Sequence, residues 1–193
     1  MRPFTQETAA MLRLPVANVD TDQLIPARFM KEPRKPEGYG RFLLHDLVAE
    51  GTAPAPEAGQ AILVARRNFG CGSSREAAVY ALADFGFRAV IAPSFGDIFA
   101  SNCVKNGVLP ATVSEADAEA LLAGGPLPAT LDLAAQTIAC GNVVVPFGID
   151  PVWRTQLLNG WDDIDMTLAE ADAIAAFTAR DSTERPWAAP RRD

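Results

Sequence analysis

Histidine, cysteine and positive charge are scarce in this 193-residue chain, and each shortage argues against a class of function. A catalytic triad or a multi-histidine metal site would have to be built around His45, the single histidine. The cysteines, Cys71, Cys103 and Cys140, include no Cys-x-x-Cys pair, so neither a zinc ribbon nor a complete iron–sulfur site is indicated. Lysine and arginine number 17 against 24 aspartates and glutamates, and the resulting charge of −7 disfavours a nucleic-acid partner.

Long apolar runs are also missing. No stretch approaches the roughly 20 apolar residues of a membrane span, and no apolar segment follows Arg2 near the N-terminus. Three widely spaced cysteines do not make a disulfide framework, and reduced, buried thiols explain them more simply. We therefore expect a cytoplasmic protein without membrane contact.

The composition is that of a chain that folds around a core, with 49% hydrophobic and 21% charged residues. We expect one domain over residues 1–180. Segments 31–40 and 50–60 are rich in proline and glycine and are expected to be loops. Residues 181–193 combine charges of both signs with one large apolar side chain, Trp187, which is typical of a flexible tail.

Glycines and capping residues divide the chain after residue 60 into strands and helices. An apolar run at 61–65 predicts a buried strand, and Gly86 is suited to end the helix that follows. A second strand at 88–92 and a helix opened by Ser94 complete an order that predicts a right-handed parallel unit. The other expected helix caps are Ser114, Asp150 and Thr167, and the expected antiparallel strands are 131–133, 137–140 and 143–145. The predicted class is α/β, with a mixed sheet flanked by helices.

The turn at 68–76, Asn-Phe-Gly-Cys-Gly-Ser-Ser-Arg-Glu, joins the first predicted strand to its helix. It therefore lies at the carboxyl edge of the sheet, where ligands bind in α/β proteins. Gly70 and Gly72 allow close backbone approach, and Arg75 has a planar fork suited to a carboxylate. The turn is neither a P-loop nor a Gly-x-Gly-x-x-Gly motif, which favours a small carboxylate over a nucleotide.

Two interpretations of this turn remain open at the level of residues alone. Ser73 and Glu76 have the spacing of a capping box, in which the serine only terminates the helix. Alternatively, Ser73 acts on a bound carboxylate. A similar choice applies to Asp20 and Asp22 in the segment 18–26, where a carboxylate could solvate a turn, hold Arg75 or orient a substrate hydroxyl.

Five segments, taken together and in order, resemble the small subunits of 3-isopropylmalate dehydratase, the split relatives of the aconitase swivel domain. The match runs from about Leu14 to about Phe177 and implies a swivelling β/β/α domain. The segments are Asn-Val-Asp-Thr-Asp-Gln at 18–23, the turn at 68–76, Ile-Ala-Pro-Ser-Phe-Gly-Asp-Ile-Phe at 91–99, Asn-Cys-Val-Lys-Asn-Gly-Val-Leu-Pro at 102–110 and Leu-Leu-Asn-Gly-Trp-Asp-Asp-Ile at 157–164.

The resemblance implies an activity that is shared between two chains. The family's enzyme interconverts 2-isopropylmalate and 3-isopropylmalate through isopropylmaleate in leucine biosynthesis. A [4Fe-4S] cluster is held by its large subunit. The expected partners are therefore a large subunit, in a heterodimer or larger assembly, and a small dicarboxylate, with no metal or cofactor in this chain.

The resemblance also assigns roles to residues. Ser73 is expected to be the catalytic base and Asp22 the active-site carboxylate, while Ser74 and Arg75 bind substrate carboxylates together with the backbone at Gly72. A neutral hydroxyl is too weak a base to remove a proton from carbon, so Ser73 would act as an alkoxide. We expect helix-start N–H groups and Arg75 to stabilise that negative charge.

Three further features surround this site in the sequence. Arg28 is expected at the mouth, and the basic loop 31–41 is either a solvated connection or a lid that recruits dicarboxylates and recognises their side chains. Arg66 and Arg67 are expected to be surface or interface charges. Cys71 lies beside the anion site, but no base accompanies it, so we expect it to pack rather than to react.

Two departures from the family pattern leave alternatives open. Ala77 stands where the family usually has histidine, and the region at 52–59 is shorter and less apolar than expected. Both changes are compatible with a related dehydratase that acts on methylmalate and citraconate or on homoaconitate. They are also compatible with a paralogue that binds carboxylates without catalysis.

Overall fold

A single seven-stranded sheet organises the computed structural model, which describes residues 1–31 and 33–188. The spatial order of the strands is β4-β3-β2-β1-β5-β6-β7. Their bounds are β1 Gln6–Leu14, β2 Gln60–Ala65, β3 Ala89–Ala92, β4 Leu109–Thr112, β5 Ala129–Asp132, β6 Thr137–Cys140 and β7 Val143–Pro146.

The sheet has a parallel half and an antiparallel half that meet at β1. Strands β1 to β4 pair in parallel, whereas β1–β5, β5–β6 and β6–β7 pair antiparallel. All four residues of β3 are buried, as expected for a parallel strand covered on both faces, whereas burial alternates along β6. The mixed sheet and the parallel order of 61–65 and 88–92 confirm the predicted class.

Eight α-helices are described, and several begin or end where the sequence signals predict. Gly86 ends α3 with a φ of +118°, Ser114 caps α5 by accepting a hydrogen bond from the Asp117 N–H, and Asp150 caps α6 ahead of Pro151. The helices are α1 Thr21–Leu24, α2 His45–Ala49, α3 Ala77–Phe85, α4 Asp97–Lys105, α5 Glu115–Ala123, α6 Pro151–Asn159, α7 Asp163–Leu168 and α8 Ala171–Glu184.

Two predicted caps are wrong. Ser94 does not open α4, which begins at Asp97, because the Ser94 hydroxyl accepts the backbone N–H of Asn68 instead. Thr167 does not cap the last helix, because it lies inside α7 and donates to the carbonyl of Asp163. The cap of α7 is Asp162, which forms a capping box with Asp165.

The sheet curls so that its two outer strands lead to a shared contact. Thr112, at the end of β4, exchanges two backbone hydrogen bonds of 3.0 and 2.7 Å with Gly148, which follows β7. Successive residues of β2 point into different parts of the core. Leu63 packs with the helices α2 and α3, whereas Ile62 packs with side chains from β5 and β6.

The C-terminal region is more helical than predicted. Helix α8 continues to Glu184 rather than ending near residue 180, and a 3₁₀ turn at Pro186–Ala188 follows. Residues 189–193 of the expected tail lie outside the described residues, so the flexible tail stays a prediction. In the part of the chain that the structure describes, no helix has the length and apolar character needed to cross a bilayer.

Candidate active site

The glycine–serine turn lies at the carboxyl edge of the parallel half of the sheet, as the sequence predicts. After β2, residues 70–74 form one wall of a cavity of about 200 Å³. The opposite wall comes from residues 96–99 at the start of α4. Gly72, Ser73 and Ser74 are exposed along this cavity, so both hydroxyls are accessible to a ligand.

Backbone hydrogen bonds hold the turn to the Asp-Thr-Asp segment. The Gly70 N–H donates to the Val19 carbonyl at 2.7 Å, and the Thr21 N–H donates to the Cys71 carbonyl at 3.0 Å. Thr21 is 1% exposed, and its hydroxyl donates to the Ser73 carbonyl at 3.0 Å. The backbone of Ser73 is therefore held in position by a buried side chain.

Gly70 is required for two separate reasons. Its φ of +71° lies in the left-handed region that disfavours residues with a Cβ, and an added Cβ would overlap the Phe99 ring. Phe99 is 3% exposed and packs edge-on against Phe69, so it has little room to move.

We expect Gly70→Ala to lower the free energy of unfolding by about 3 kcal/mol, because overpacking adds to the cost of the positive φ. For a chain of this size the melting temperature should fall by about 6–12 °C. The matched control is Gly51→Ala, where φ is +72° but nothing lies within 4 Å of the added Cβ. Equal losses in the two variants, measured by thermal unfolding, would show that contact with Phe99 is unimportant.

The predicted capping box at Ser73 and Glu76 does not form. Helix α3 begins at Ala77, and Glu76 precedes it without a side-chain cap. Glu76 instead accepts a hydrogen bond of 2.9 Å from the Asn106 side-chain amide. The interpretation in which Ser73 only terminates the helix is therefore wrong, whereas the expectation that helix-start N–H groups stabilise a negative charge on Ser73 stays a prediction.

Arg75 and Asp22 form a two-pronged ion pair beside the serines. The Arg75 Nη2 lies 2.9 Å from the Asp22 Oδ2, and its Nη1 contacts Oδ1. The hydrogen bond from Arg75 is the main reason that the pKa of Asp22 lies below its usual range. Of the roles left open by the sequence, Asp22 takes that of holding Arg75, whereas Asp20 caps α1 by accepting from the Gln23 N–H.

Sequence reasoning missed two supporting residues, Thr21 and Asn106. Asn106 lies just past α4 and holds Glu76, which also hydrogen-bonds the Tyr80 hydroxyl. The pKa of Tyr80 is raised, mainly by burial and secondly by this hydrogen bond. Both missed residues lie within segments that carry the family resemblance, but their partners are 52 and 30 residues away along the chain. The Ala77 methyl group packs against the core, and this side chain has no hydrogen-bonding group to offer the site.

Arg28 lies apart from the serine cavity. It lines a second cavity of about 260 Å³ with Lys35 and Arg41. Its guanidinium forms a two-pronged pair with Asp46 and stacks on Phe29. Asp22 accepts a hydrogen bond from the backbone of Ala27, the residue before Arg28 in the chain.

The remaining arginines of interest are engaged in surface pairs. Arg34 binds Asp84 and lies over the Tyr80 ring, which fixes part of the 31–41 loop to α3. Arg66 holds Glu119 of α5 with contacts of 2.6 and 3.1 Å, in line with its expected surface role. Such exposed pairs contribute little stability individually.

The cysteines do not form a reactive or metal-binding group. Cys71 is partly buried, its thiol lies 3.5 Å from the Asn18 carbonyl, and burial raises its pKa. Cys103 and Cys140 are buried. Among residues 1–31 and 33–188, no three His, Cys, Asp or Glu side chains are grouped in a way that could hold a metal ion.

Two family models match parts of the chain. A family model for the aconitase C-terminal domain matches residues 48–116. A model for the C-terminal domain of 3-isopropylmalate dehydratase small subunits matches residues 163–191. A solved structure of 3-isopropylmalate dehydratase from Methanocaldococcus jannaschii superposes with a TM-score of 0.68 at 23% identity, covering 90% of this chain and 99% of its own, and confirms the predicted fold.

Two curated relatives extend the similarity along almost the whole chain, and both are named 3-isopropylmalate dehydratase small subunit. The protein from Rhodospirillum centenum is 45% identical over 97% of this chain and 99% of its own. That from Rhodopirellula baltica is also 45% identical, over 92% and 97%. The chain therefore belongs to the family of 3-isopropylmalate dehydratase small subunits, which are relatives of aconitase.

Proposed function

We propose that this chain is the small subunit of a cytoplasmic hydro-lyase that interconverts 2-isopropylmalate and 3-isopropylmalate through isopropylmaleate. The observation that carries the proposal is the site itself. Two accessible serine hydroxyls line a cavity, and beside them Asp22 holds an arginine in a fixed orientation. Family membership supplies the reaction class.

In this proposal Ser73 is the base. It removes a proton from the carbon next to a substrate carboxylate and returns it in the reverse direction. Its alkoxide form requires nearby positive charge and donors in a site closed to water. Arg75 lies two residues further along the same turn and supplies that positive charge.

Arg75 and Ser74 bind the substrate's carboxylates. Each Nη of Arg75 carries two N–H groups, and one of each is used by Asp22. The others, with Nε, are available for a second carboxylate. Because Asp22 fixes the guanidinium plane, the fork is oriented before substrate arrives, which reduces the cost of binding.

The [4Fe-4S] cluster belongs on a large subunit in this proposal. The donor set of the described residues does not fit a cluster, because the cysteines are separate and two are buried. Bound to the large subunit, the cluster would supply a Lewis acid for the substrate hydroxyl. The two chains would then form a heterodimer or a larger assembly.

The second cavity favours selection of an apolar side chain on an anionic substrate. Lys35 and Arg41 bring positive charge, while Phe29, Tyr39 and Phe42 bring aromatic surface. Phe29 and Phe42 are stacked with ring centroids 4.2 Å apart. The loop 31–41 is therefore proposed to attract the diacid and to distinguish its side chain.

The test is to mix the purified chain with a cluster-loaded large subunit and to follow the absorbance of the unsaturated intermediate. We expect turnover of isopropylmalate when both chains are present and none from either alone. Faster hydration of citraconate than of isopropylmaleate would instead assign the related dehydratase reaction. Calorimetric binding of substrate to the assembled complex without turnover would show a non-catalytic subunit.

A further inference from the structure

Helices α7 and α8 expose their apolar side chains instead of burying them. Neither helix contains a buried residue, yet Ile164 is 68% exposed, Leu168 64%, Ile174 46% and Phe177 51%. The first two are four residues apart and the last two are three apart, so each pair lies on one helix face. Isolated exposed apolar residues are ordinary, but an apolar face on each of two consecutive helices marks a contact surface.

This surface is held in place at its base. Gln156 of α6 is 6% exposed and donates 2.9 Å to Asp163 at the start of α7. Its carbonyl accepts the Trp161 N–H at 2.9 Å, and Asp162 caps the helix. Residues 162–185, which we name the C-terminal arm, are thus fixed where they leave the body.

The arm is also strongly acidic. It contains seven aspartates and glutamates and two arginines, so it carries −5 of the chain's total charge of −7. Pairing with the arm of a second copy would bring two such charges together, and the repulsion disfavours that occupant. The complementary surface is an apolar groove with lysine or arginine at its rim.

We propose that the C-terminal arm docks into such a groove on the large subunit. The inference rests on the proposed function, which requires a second chain facing the serine cavity. Helix α6 connects the serine cavity to the arm. Near its start, Trp153 lines a groove together with Asp97, which also belongs to the wall of the serine cavity. The last turn of α6 leads to the arm. Its nine residues span only about 13 Å, well within one standard interface.

The family comparison supports the same occupant. The model for the C-terminal domain of small subunits matches 163–191, which includes nearly all of the arm, whereas the aconitase model matches 48–116. The arm is therefore a feature of chains described as small subunits, although none of its residues is buried within this chain. A segment of that kind is explained by contact with the chain that completes the enzyme.

The experiment uses calorimetry to measure binding of the large subunit. We expect the double variant Leu168→Ser, Phe177→Ser to raise the Kd at least 30-fold, because buried apolar anchors dominate interfaces. Its helix content and melting temperature should stay unchanged, since neither side chain is buried. The matched control is Val144→Ser, a 67% exposed apolar residue on β7, which should bind normally. Phe177→Ala alone, expected to raise the Kd about tenfold, replaces the double variant if its helix content falls.

The outcomes separate this inference from the proposed function. If the wild-type chain does not bind the large subunit, the proposed function fails and the arm proposal fails with it. If the wild type binds and the arm variant binds equally well, only the arm proposal is overturned. If sedimentation shows that this chain alone forms a dimer and that the arm variant does not, the surface binds a second copy. Added salt should weaken wild-type binding, and a Kd that does not change with salt would contradict a basic rim.

Discussion

Replacing Ser73 with alanine is expected to lower kcat of the assembled enzyme by about 10²- to 10⁴-fold, the range typical for loss of a general base. The reason is that the remaining groups of the turn bind the substrate but cannot accept its proton. Ser74 and Arg75 are left in place, and the backbone at residue 73 is still held by the Thr21 hydroxyl. The KM should therefore change little, and steady-state kinetics with the cluster-loaded large subunit will separate the two constants.

The matched control for this variant is Ser114→Ala. It makes the same chemical change at the N-cap of α5, outside both cavities, and should cost about 1 kcal/mol of stability with no change in kcat. Ser74→Ala should raise the KM more than it lowers kcat, since Ser74 binds and does not accept the proton. If Ser73→Ala turns over substrate at the wild-type rate and binds it with normal affinity, Ser73 is not the base.

The helices are predictable from the sequence where their ends are set by local chemistry. Gly86 and Gly160 adopt positive φ values that other residues avoid, and Asp150 and Ser114 satisfy N–H groups only two or three residues away. Such contacts depend on a few consecutive residues, so the pattern alone identifies them.

The predicted capping box of Ser73 and Glu76 shows where a local pattern misleads. The two residues have the required spacing, but the Glu76 side chain has a partner far along the chain. Asn106 takes the Glu76 carboxylate, and α3 starts later than the pattern indicates. The sequence pattern does not predict strand β1, because the first half of this strand is polar and pairs with β5, which is distant along the chain.

The site divides in the same way. Gly72, Ser73 and Ser74 are predictable together because they are consecutive, and Arg75 with Asp22 because the family motifs contain both. The position of Arg28 after Pro26 predicts a place at the mouth, yet its pairing with Asp46 puts it at the neighbouring cavity. Contacts between segments about 20 to 50 residues apart decide these positions, and the residue pattern does not encode them.

Arg75→Lys is expected to lower kcat/KM by about 10²-fold or more, although the charge is conserved. Lysine provides a point charge without the planar fork, so it cannot hold Asp22 and a substrate carboxylate at once. Misplacement of a substrate by about 1 Å is enough for a loss of this size.

Asp22→Asn tests the other half of the pair. It keeps the shape of the side chain but removes its charge, so the arginine loses its orientation and the KM should rise.

The pH dependence distinguishes a positioning role for Asp22 from a role in proton transfer. Because Arg75 lowers the folded-state pKa of Asp22 below 3.8, the ion pair contributes fully above that ordinary value and is lost only as the pH falls through the lowered pKa. The wild-type kcat/KM profile should therefore show no step from Asp22 between about pH 5 and 8. Asp22→Asn should lower the whole profile without changing its shape in that range. If the variant instead removes a titration step within this range, Asp22 itself exchanges a proton during the reaction, and a purely positioning role is wrong.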